Sequence, residues 1–350
     1  MNKLQDVSVI IPALNPDEKL LELLGKLKEQ GFEPPLIVND GSSPACETYF
    51  KTAEEKYHCT VLKHEENKGK GRALKTAFSY LLKEKECSYA VTIDADGQHE
   101  PEDVLRCVLA AKEPENRGRI IFGCRNFDEP HVPGKSRLGN KSMCLLMRFT
   151  CGMKLSDTQT GLRVFPKEYF SRLLETQGER FEYETNMLID IQREKIPYDE
   201  VKIKTVYIEE NKSSHFRPLA DSLIIIRPFF KFLVSSCGSS LVDLAAFSLL
   251  FWLMRKMPQR EAIWIATVAA RVLSACCNYA LNRHRVFGQG SRKSPVKYLI
   301  LCVVQMCMSA ALVAAIYGLV GSGATLIKIV VDVCLFFLSY QIQREWVFSE

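Results

Sequence analysis

Tyr89-Ala-Val-Thr-Ile93-Asp94-Ala95-Asp96-Gly97-Gln98-His99-Glu100-Pro101 decides how the first half of this chain folds. Its opening residues are apolar or β-branched and read as a strand, while Pro101 stands where a helix favours its first residue. Between them lies a polar turn. In an extended chain Asp94, Asp96 and Gln98 project to one side, so three oxygen donors gather at a strand's carboxyl end. Such donors suit Mg²⁺ or Mn²⁺, hard cations that share their coordination with substrate phosphates. A strand terminus with solvated aspartates is the other reading of the same residues.

The alternation of short β-branched runs with helical patterns recurs on both sides of this stretch. Residues 7–11, 36–38, 60–63 and 119–123 read as strands. Helices are expected from Pro16 toward Gln30, from Pro44, and from Gly71 to about Lys83. That pattern predicts a mostly parallel α/β sheet with helices on both faces, and ligands in such sheets bind beyond the carboxyl ends of strands. The loops after Ile11, Val38, Ile93 and Gly123 are therefore the places to look. Asp40, in Val38-Asn39-Asp40-Gly41-Ser42-Ser43, could accept a hydrogen bond from a nucleobase or serve as a turn residue; both stay open. Asn67-Lys68-Gly69-Lys70-Gly71-Arg72-Ala73 sets glycines and cations before a helix, an expected anion cradle whose spacing is not that of a Walker A loop.

At 350 residues the chain is long enough for two domains, and its average of 47% hydrophobic residues conceals two physical classes. Up to about Arg217 charges are frequent and apolar runs short. Beyond Phe229 come four apolar stretches, about 232–254, 262–281, 298–320 and 324–343, each near the length that crosses a bilayer. We expect a cytosolic domain over 1–210, a linking or interfacial segment over 211–231 and a transmembrane domain over 232–350. The net charge of +5 is mild and clusters beside the apolar stretches, where anionic lipid accounts for it, so no nucleic-acid partner is expected. The thirteen cysteines show no CxxC spacing and read as packing residues. No leader segment is visible at the start. Arg283, Arg285, Arg292, Lys293 and Lys297 crowd the second connection, which places it, the first half and both termini in the cytosol. Arg255, Lys256 and Arg260 in the first connection count against that orientation.

Asn278-Tyr279-Ala-Leu-Asn-Arg283-His-Arg-Val286-Phe287 and Ser339-Tyr340-Gln-Ile-Gln-Arg344-Glu-Trp-Val347-Phe348 match at Tyr, Arg, Val and Phe, so the membrane half reads as two related hairpins. Asp243, Arg271, Lys328 and Asp332 fall at bilayer depth. They could form ion pairs inside a bundle or handle a polar head group.

Taken in order, Ile10-Ile-Pro12-Ala13-Leu14-Asn15, Val38-Asn-Asp40-Gly-Ser-Ser43, Asn67–Ala73, Asp94–Asp103 and Gly123-Cys-Arg125 resemble family 2 glycosyltransferases, and within them the dolichyl- and polyprenyl-phosphate sugar synthases. Ser136-Arg137-Leu-Gly-Asn140, Asp157-Thr-Gln-Thr-Gly161-Leu-Arg163-Val-Phe165, Arg180-Phe-Glu182-Tyr-Glu184 and Ser213-Ser214-His215-Phe216 extend the likeness. The membrane half resembles GtrA-like four-span domains through its two repeat segments.

The resemblance implies a GT-A fold and inverting transfer of one sugar from a UDP- or GDP-sugar to a polyprenyl phosphate at the inner face of the cytoplasmic membrane, supplying the cell envelope. It implies a metal at Asp94, Asp96 and Gln98, and donor contacts from Pro12, Ala13, Asn15, Val38, Asp40, Lys70 and Ala95. Arg125, Ser136 and Arg137 fall where such enzymes hold the acceptor phosphate. Asp157 is a candidate for orienting an arginine or holding a sugar hydroxyl, with a structural turn role open beside these, and Ser214 and His215 belong to an expected lid or to a plain linker. Leu14 and Pro16 replace the family's usual Tyr and Glu, and Gly97 a common Leu. Self-association through the membrane domain is a further expectation. Two other functions fit the same residues: transfer to a polysaccharide or protein, and a transporter or scaffold carrying an inactive transferase half.

Overall fold

The computed structural model describes residues 4–84, 86–130, 132–205, 218–288 and 291–348, with side chains absent from the description over 218–224. The segment 211–216, with Ser214 and His215, lies outside the described residues. The chain divides into two compact units, 1–225 and 226–350.

In the first unit seven strands form one sheet: β1 (Val7–Ala13), β2 (Leu36–Asp40), β3 (Thr60–His64), β4 (Tyr89–Thr92), β5 (Ile120–Arg125), β6 (Arg163–Pro166) and β7 (Tyr198–Ile203), in the order β3-β2-β1-β4-β6-β5-β7. β6 alone among them runs antiparallel, pairing with β4 and β5. Period-two burial gives the sheet two apolar faces. Ile10, Leu36, Val38, Phe78, Phe122 and Phe165 pack on one. Val7, Val9, Ile11, Ile37, Val91, Ile93 and Val164 pack on the other. The helices that cover these faces are α1 (Glu18–Glu29), α2 (Glu47–Tyr57), α3 (Lys70–Glu84), α4 (Pro101–Lys112), α5 (Gly134–Thr150), α6 (Phe170–Glu175) and α7 (Glu182–Arg193). Asp17 caps α1 by accepting the Lys19 amide, satisfying one of the helix's orphan donors.

The expected five strands and the mostly parallel sheet are present. β6 and β7 were not expected, for different reasons. β6 has four residues and follows a turn-rich run, too short for its alternation to register. β7 is an edge strand whose Asp199, Glu200 and Lys202 read as loop residues, although charges are how natural edges avoid pairing with other chains.

The second unit is helical: α8 (Pro218–Leu253, begun before the unit's boundary), α9 (Gln259–Leu281), α10 (Ser294–Val320) and α11 (Ala324–Ile342). Four stretches are long and apolar enough to cross a membrane, Ile225–Leu253, Gln259–Phe287, Ser294–Val320 and Ala324–Val347. They exceed the lengths read from hydropathy because their ends carry polar residues that still continue the helix. The helix runs unbroken through 221–231, with Pro228 inside it, and the first candidate span begins within that stretch, at Ile225.

The internal repeat is visible as structure. α9 and α11 both end in a wide π turn, Asn282–Phe287 and Gln343–Val347. Asn282 and Gln343 occupy matching repeat positions, are buried, and join by Nδ2 to Oε1 at 2.9 Å. Around them Phe287 stacks on Phe348, while Tyr279 meets Phe348 and Tyr340 meets Phe287, an arrangement that maps onto itself when the hairpins are exchanged.

Candidate active site

A cavity of about 610 Å³ opens at the carboxyl ends of β1, β2, β4 and β5. β1 lies between β2 and β4, where strand order reverses, so the loops leaving neighbouring strands part and leave a crevice. Of the residues expected at the site, Pro12, Ala13, Asn15, Asp40, Lys70, Asp94, Ala95, Asp96, Gln98 and Arg125 line it. Val38, Ser136, Arg137 and Asp157 do not. Val38 is wholly buried in the sheet core, so its side chain is unavailable to a nucleoside.

At the centre is a chain of alternating charges. Lys70, the first residue of α3, places Nζ 2.7 Å from Asp94 Oδ1 and 2.9 Å from Glu184 Oε2. Buried Arg163 backs Glu184, with Nη2 3.6 Å from Oε1, and its Nε donates to the Thr160 carbonyl at 2.9 Å. Burial works against the Lys70 ammonium, but the carboxylates of Asp94 and Glu184 outweigh it and raise its pKa. Burial likewise opposes ionisation of Asp94, and Lys70 and His99 overcome this, holding its carboxyl well below the usual range. Gly161 permits the arrangement: a Cβ there would collide with the Asp94 carboxylate. Thr92 fixes the Gly161 carbonyl at 2.8 Å.

Asp96 differs. Its carboxyl accepts the Gln98 amide at 3.0 Å, and burial first, then the charge of Asp94, pushes its pKa up. It is thus an under-compensated carboxylate on the cavity wall. Among the described residues no three His, Cys, Asp or Glu side chains converge as a cation cage. Asp96 and Gln98 fit a divalent cation that completes its shell with substrate oxygens, because the charges of His99 and Lys70 only partly offset burial and Asp94 at Asp96. Asp94 fits less well, since the Lys70 ammonium already neutralises it.

The loop before α3 departs from the expected anion cradle. The amides of Lys68 and Gly69 donate to Asp40 at 3.0 and 2.7 Å, and the Arg72 amide to the Glu179 carbonyl at 2.8 Å. Those donors are spent on protein, leaving the Lys70 side chain as the loop's cation at the cavity. Asp40 therefore acts as a latch, completed by His64, whose Nδ1 lies 2.7 Å from Asp40 Oδ1 and whose Nε2 lies 3.0 Å from Thr76 Oγ1. His64 was missed by sequence reasoning. The available signal was register: Asp40 and His64 end adjacent strands as direct partners. Asn15, in a left-handed conformation, ties β1 to the next loop through Ser42 and Ser43. Glu179, also missed, holds Arg72 and Lys75. Glu182 starts α7 and accepts the Glu179 and Arg180 amides, leaving Glu184 as the carboxylate of that pair engaged with Lys70.

At the end of β5 Arg125 is pinned to fully buried Asp157, Nε to Oδ2 at 2.7 Å and Nη2 to Oδ1 at 3.2 Å. This two-point geometry fixes the guanidinium plane. Arg137, on α5, donates from Nε and Nη2 to the carbonyls of Phe127 and Glu129 at 2.9 and 3.0 Å. Arg125 lies over the Phe127 ring, so the two arginines share one turn.

Residues 8–174 match the sequence profile described as Glycosyl transferase family 2, and residues 231–348 that described as GtrA/DPMS, transmembrane domain. An uncharacterized protein of Methanocaldococcus jannaschii is 31% identical over 215 residues, which cover 59% of this chain and 84% of that one. The chain belongs to glycosyltransferase family 2. This glycosyltransferase is also 28% identical over 218 residues to a UDP-N-acetylglucosamine--dolichyl-phosphate N-acetylglucosaminyltransferase of Methanococcus voltae, covering 58% of this chain and 86% of that one. A mannosyl-3-phosphoglycerate synthase structure from Rubrobacter xylanophilus aligns with a TM-score of 0.48 and 18% identity, over 63% of this chain and 71% of that one. With its four spans and its GtrA/DPMS domain, the glycosyltransferase is a membrane protein.

Proposed function

We propose that this glycosyltransferase moves one sugar from a UDP- or GDP-sugar to a polyprenyl phosphate at the cytoplasmic face of the membrane, with inversion at the anomeric carbon. The carrying observation is that Lys70, under-compensated Asp96 and Asp157-anchored Arg125 line one cavity. The relative from Methanococcus voltae, named for transfer to a dolichyl phosphate, supports the choice of acceptor.

An oxygen of the lipid phosphate attacks the anomeric carbon, the bond to the diphosphate breaks, and the nucleoside diphosphate leaves with the electron pair. A phosphate monoester, with a second pKa of about 6, is already largely dianionic at neutral pH, so no residue need act as general base. Arg125 takes one side of that phosphate, its plane set by Asp157. Arg137, with Ser136 beside it, holds the other once its turn engages the acceptor. Lys70 faces the leaving diphosphate, positioned by Asp94 and Glu184. Asp96 and Gln98 would hold Mg²⁺ or Mn²⁺, which would add neutralisation of the leaving charge. Pro12, Ala13, Asn15, Asp40 and Ala95 form the nucleoside side of the cavity. Ser214 and His215 remain proposed closing residues.

The test is mass spectrometry of lipid products after membranes holding the full chain meet a panel of UDP- and GDP-sugars. A glycosyl phosphoryl polyprenol must appear. Product confined to polysaccharide or protein would sink the proposal.

A further inference from the structure

Two charge clusters stand on the outer surface of the membrane half. Arg271 Nε lies 3.6 Å from Asp243 Oδ1, and Lys328 Nζ lies 2.7 Å from Asp332 Oδ2, whose other oxygen accepts from Ser309 at 2.6 Å. Arg271 keeps 75% of its side chain exposed, Lys328 59% and Asp332 47%. Their neighbours Val272, Leu273, Ile329 and Val333 are exposed as well. Apolar exposure of that kind suits lipid; exposed charge does not.

Depth follows from helix geometry. The short loops between α8 and α9 and between α10 and α11 lie on the same side of a four-span bundle. From those ends, at a helical rise of about 1.5 Å per residue, Arg271 sits about 18 Å along α9, Asp332 about 12 Å along α11 and Asp243 about 15 Å back along α8. In a hydrocarbon layer of about 30 Å these are central positions. Lys328, one turn in, can extend to the head groups. Arg271 and Asp332 are too deep to do so. The intrachain pair of Asp243 and Arg271 is also incomplete, since buried Asp243 Oδ1 makes no hydrogen bond.

The repeat supplies the complement. Aligning Tyr279 with Tyr340 sets Arg271 at the position matching Asp332, so the two hairpins carry opposite charges at matching positions and similar depth. We infer that the membrane half docks against a second copy of this chain, with Arg271 of one copy meeting Asp332 of the other. The contact completes an alternating series, Asp243, Arg271, Asp332, Lys328, and removes both clusters from lipid. Copies inserted the same way are related by rotation about the membrane normal, which preserves depth, so the long Arg271 side chain has to span an offset of about 6 Å along the normal to reach Asp332. The inference concerns assembly and stands whether or not the proposed acceptor is right.

The experiment uses the full chain in lipid nanodiscs and in native membranes. Native mass spectrometry should find wild-type oligomers. In a background with exposed Cys237, Cys276, Cys307 and Cys334 changed to Ala, R271C and D332C chains carrying distinct tags are co-expressed and oxidised. Disulfide-linked dimers should be at least tenfold more abundant in the mixture than with either variant alone. A monomeric wild type would overturn the inference, as would equal cross-linking by one variant alone or no cross-link in the mixture. R271K, which keeps the charge, should retain the wild-type oligomer if R271C folds poorly; its failure to do so counts against the contact.

Discussion

The two halves of this molecule treat buried charge differently. In the globular half Lys70, Arg163, Asp157 and Asp40 are sequestered, and each meets its counterpart within the chain at hydrogen-bonding or ion-pair distance. In the membrane half Arg271 and Asp332 stand on the surface with partial pairing. The medium explains the contrast. Water surrounds the first half, so its low-dielectric region is internal and its charges must be resolved there. For the second, the low-dielectric region is outside, and exposure itself is the cost. Asp96 is an exception in the globular half, a half-buried carboxylate with too little counter-charge, and it is the residue the proposed chemistry needs.

Breaking that exception should have the largest effect. Asp96→Ala should lower sugar transfer roughly 10³-fold, measured as labelled lipid product, with circular dichroism unchanged. Next comes the compensated network. Lys70→Met leaves Asp94 and Glu184 facing each other without their shared cation and should cost about 3–5 kcal/mol of stability in denaturant titration of the globular half. Smaller is the steric test of the same contact: Gly161→Ala drives a Cβ into the Asp94 carboxylate and should cost about 1–3 kcal/mol.

A pH experiment sharpens the contrast. Because the folded-state pKa of Asp96 is raised, the native state binds its proton more tightly than the unfolded chain. The stability it contributes is present at low pH and lost as pH rises through the raised value. Asp96→Asn should therefore raise the melting temperature of the ligand-free protein at pH 7, with the gain shrinking as pH falls from the raised value toward the ordinary carboxylate range and absent below it. The smallest change should come from Arg72→Ala, which removes a half-exposed ion pair to Glu179 and should shift stability by less than about 1 kcal/mol.

Much of the fold was legible because its signals are local. Strands such as Val7–Ala13 carry β-branched runs, α4 opens on Pro101, and four apolar stretches announce the spans. β7 escaped because edge protection looks like loop composition. At the site, strand alternation is not what brings Asp94, Asp96 and Gln98 to the cavity, since β4 ends at Thr92 and a turn with Gly97 at positive φ follows; the clamp of Lys70 by Glu184 joins positions far apart in the chain that no periodicity connects. The cradle expected at Asn67–Ala73 failed for a similar reason: its amides turn toward Asp40, on another strand. Arg137 was expected at the cavity, but its side chain follows the carbonyls of the Phe127 turn, a local preference that a motif does not encode.

The central claim, that Asp96 gathers a cation in the cavity that Lys70 also lines to hold a nucleotide-sugar, is tested most directly by calorimetric titration of the purified full chain with UDP- and GDP-sugars, with Mg²⁺ or Mn²⁺ and then with EDTA. The account predicts that one donor class binds at least tenfold more tightly with metal, and that Asp96→Asn abolishes this metal dependence. Donor affinity indifferent to EDTA, or an Asp96→Asn protein with wild-type metal dependence, would contradict it.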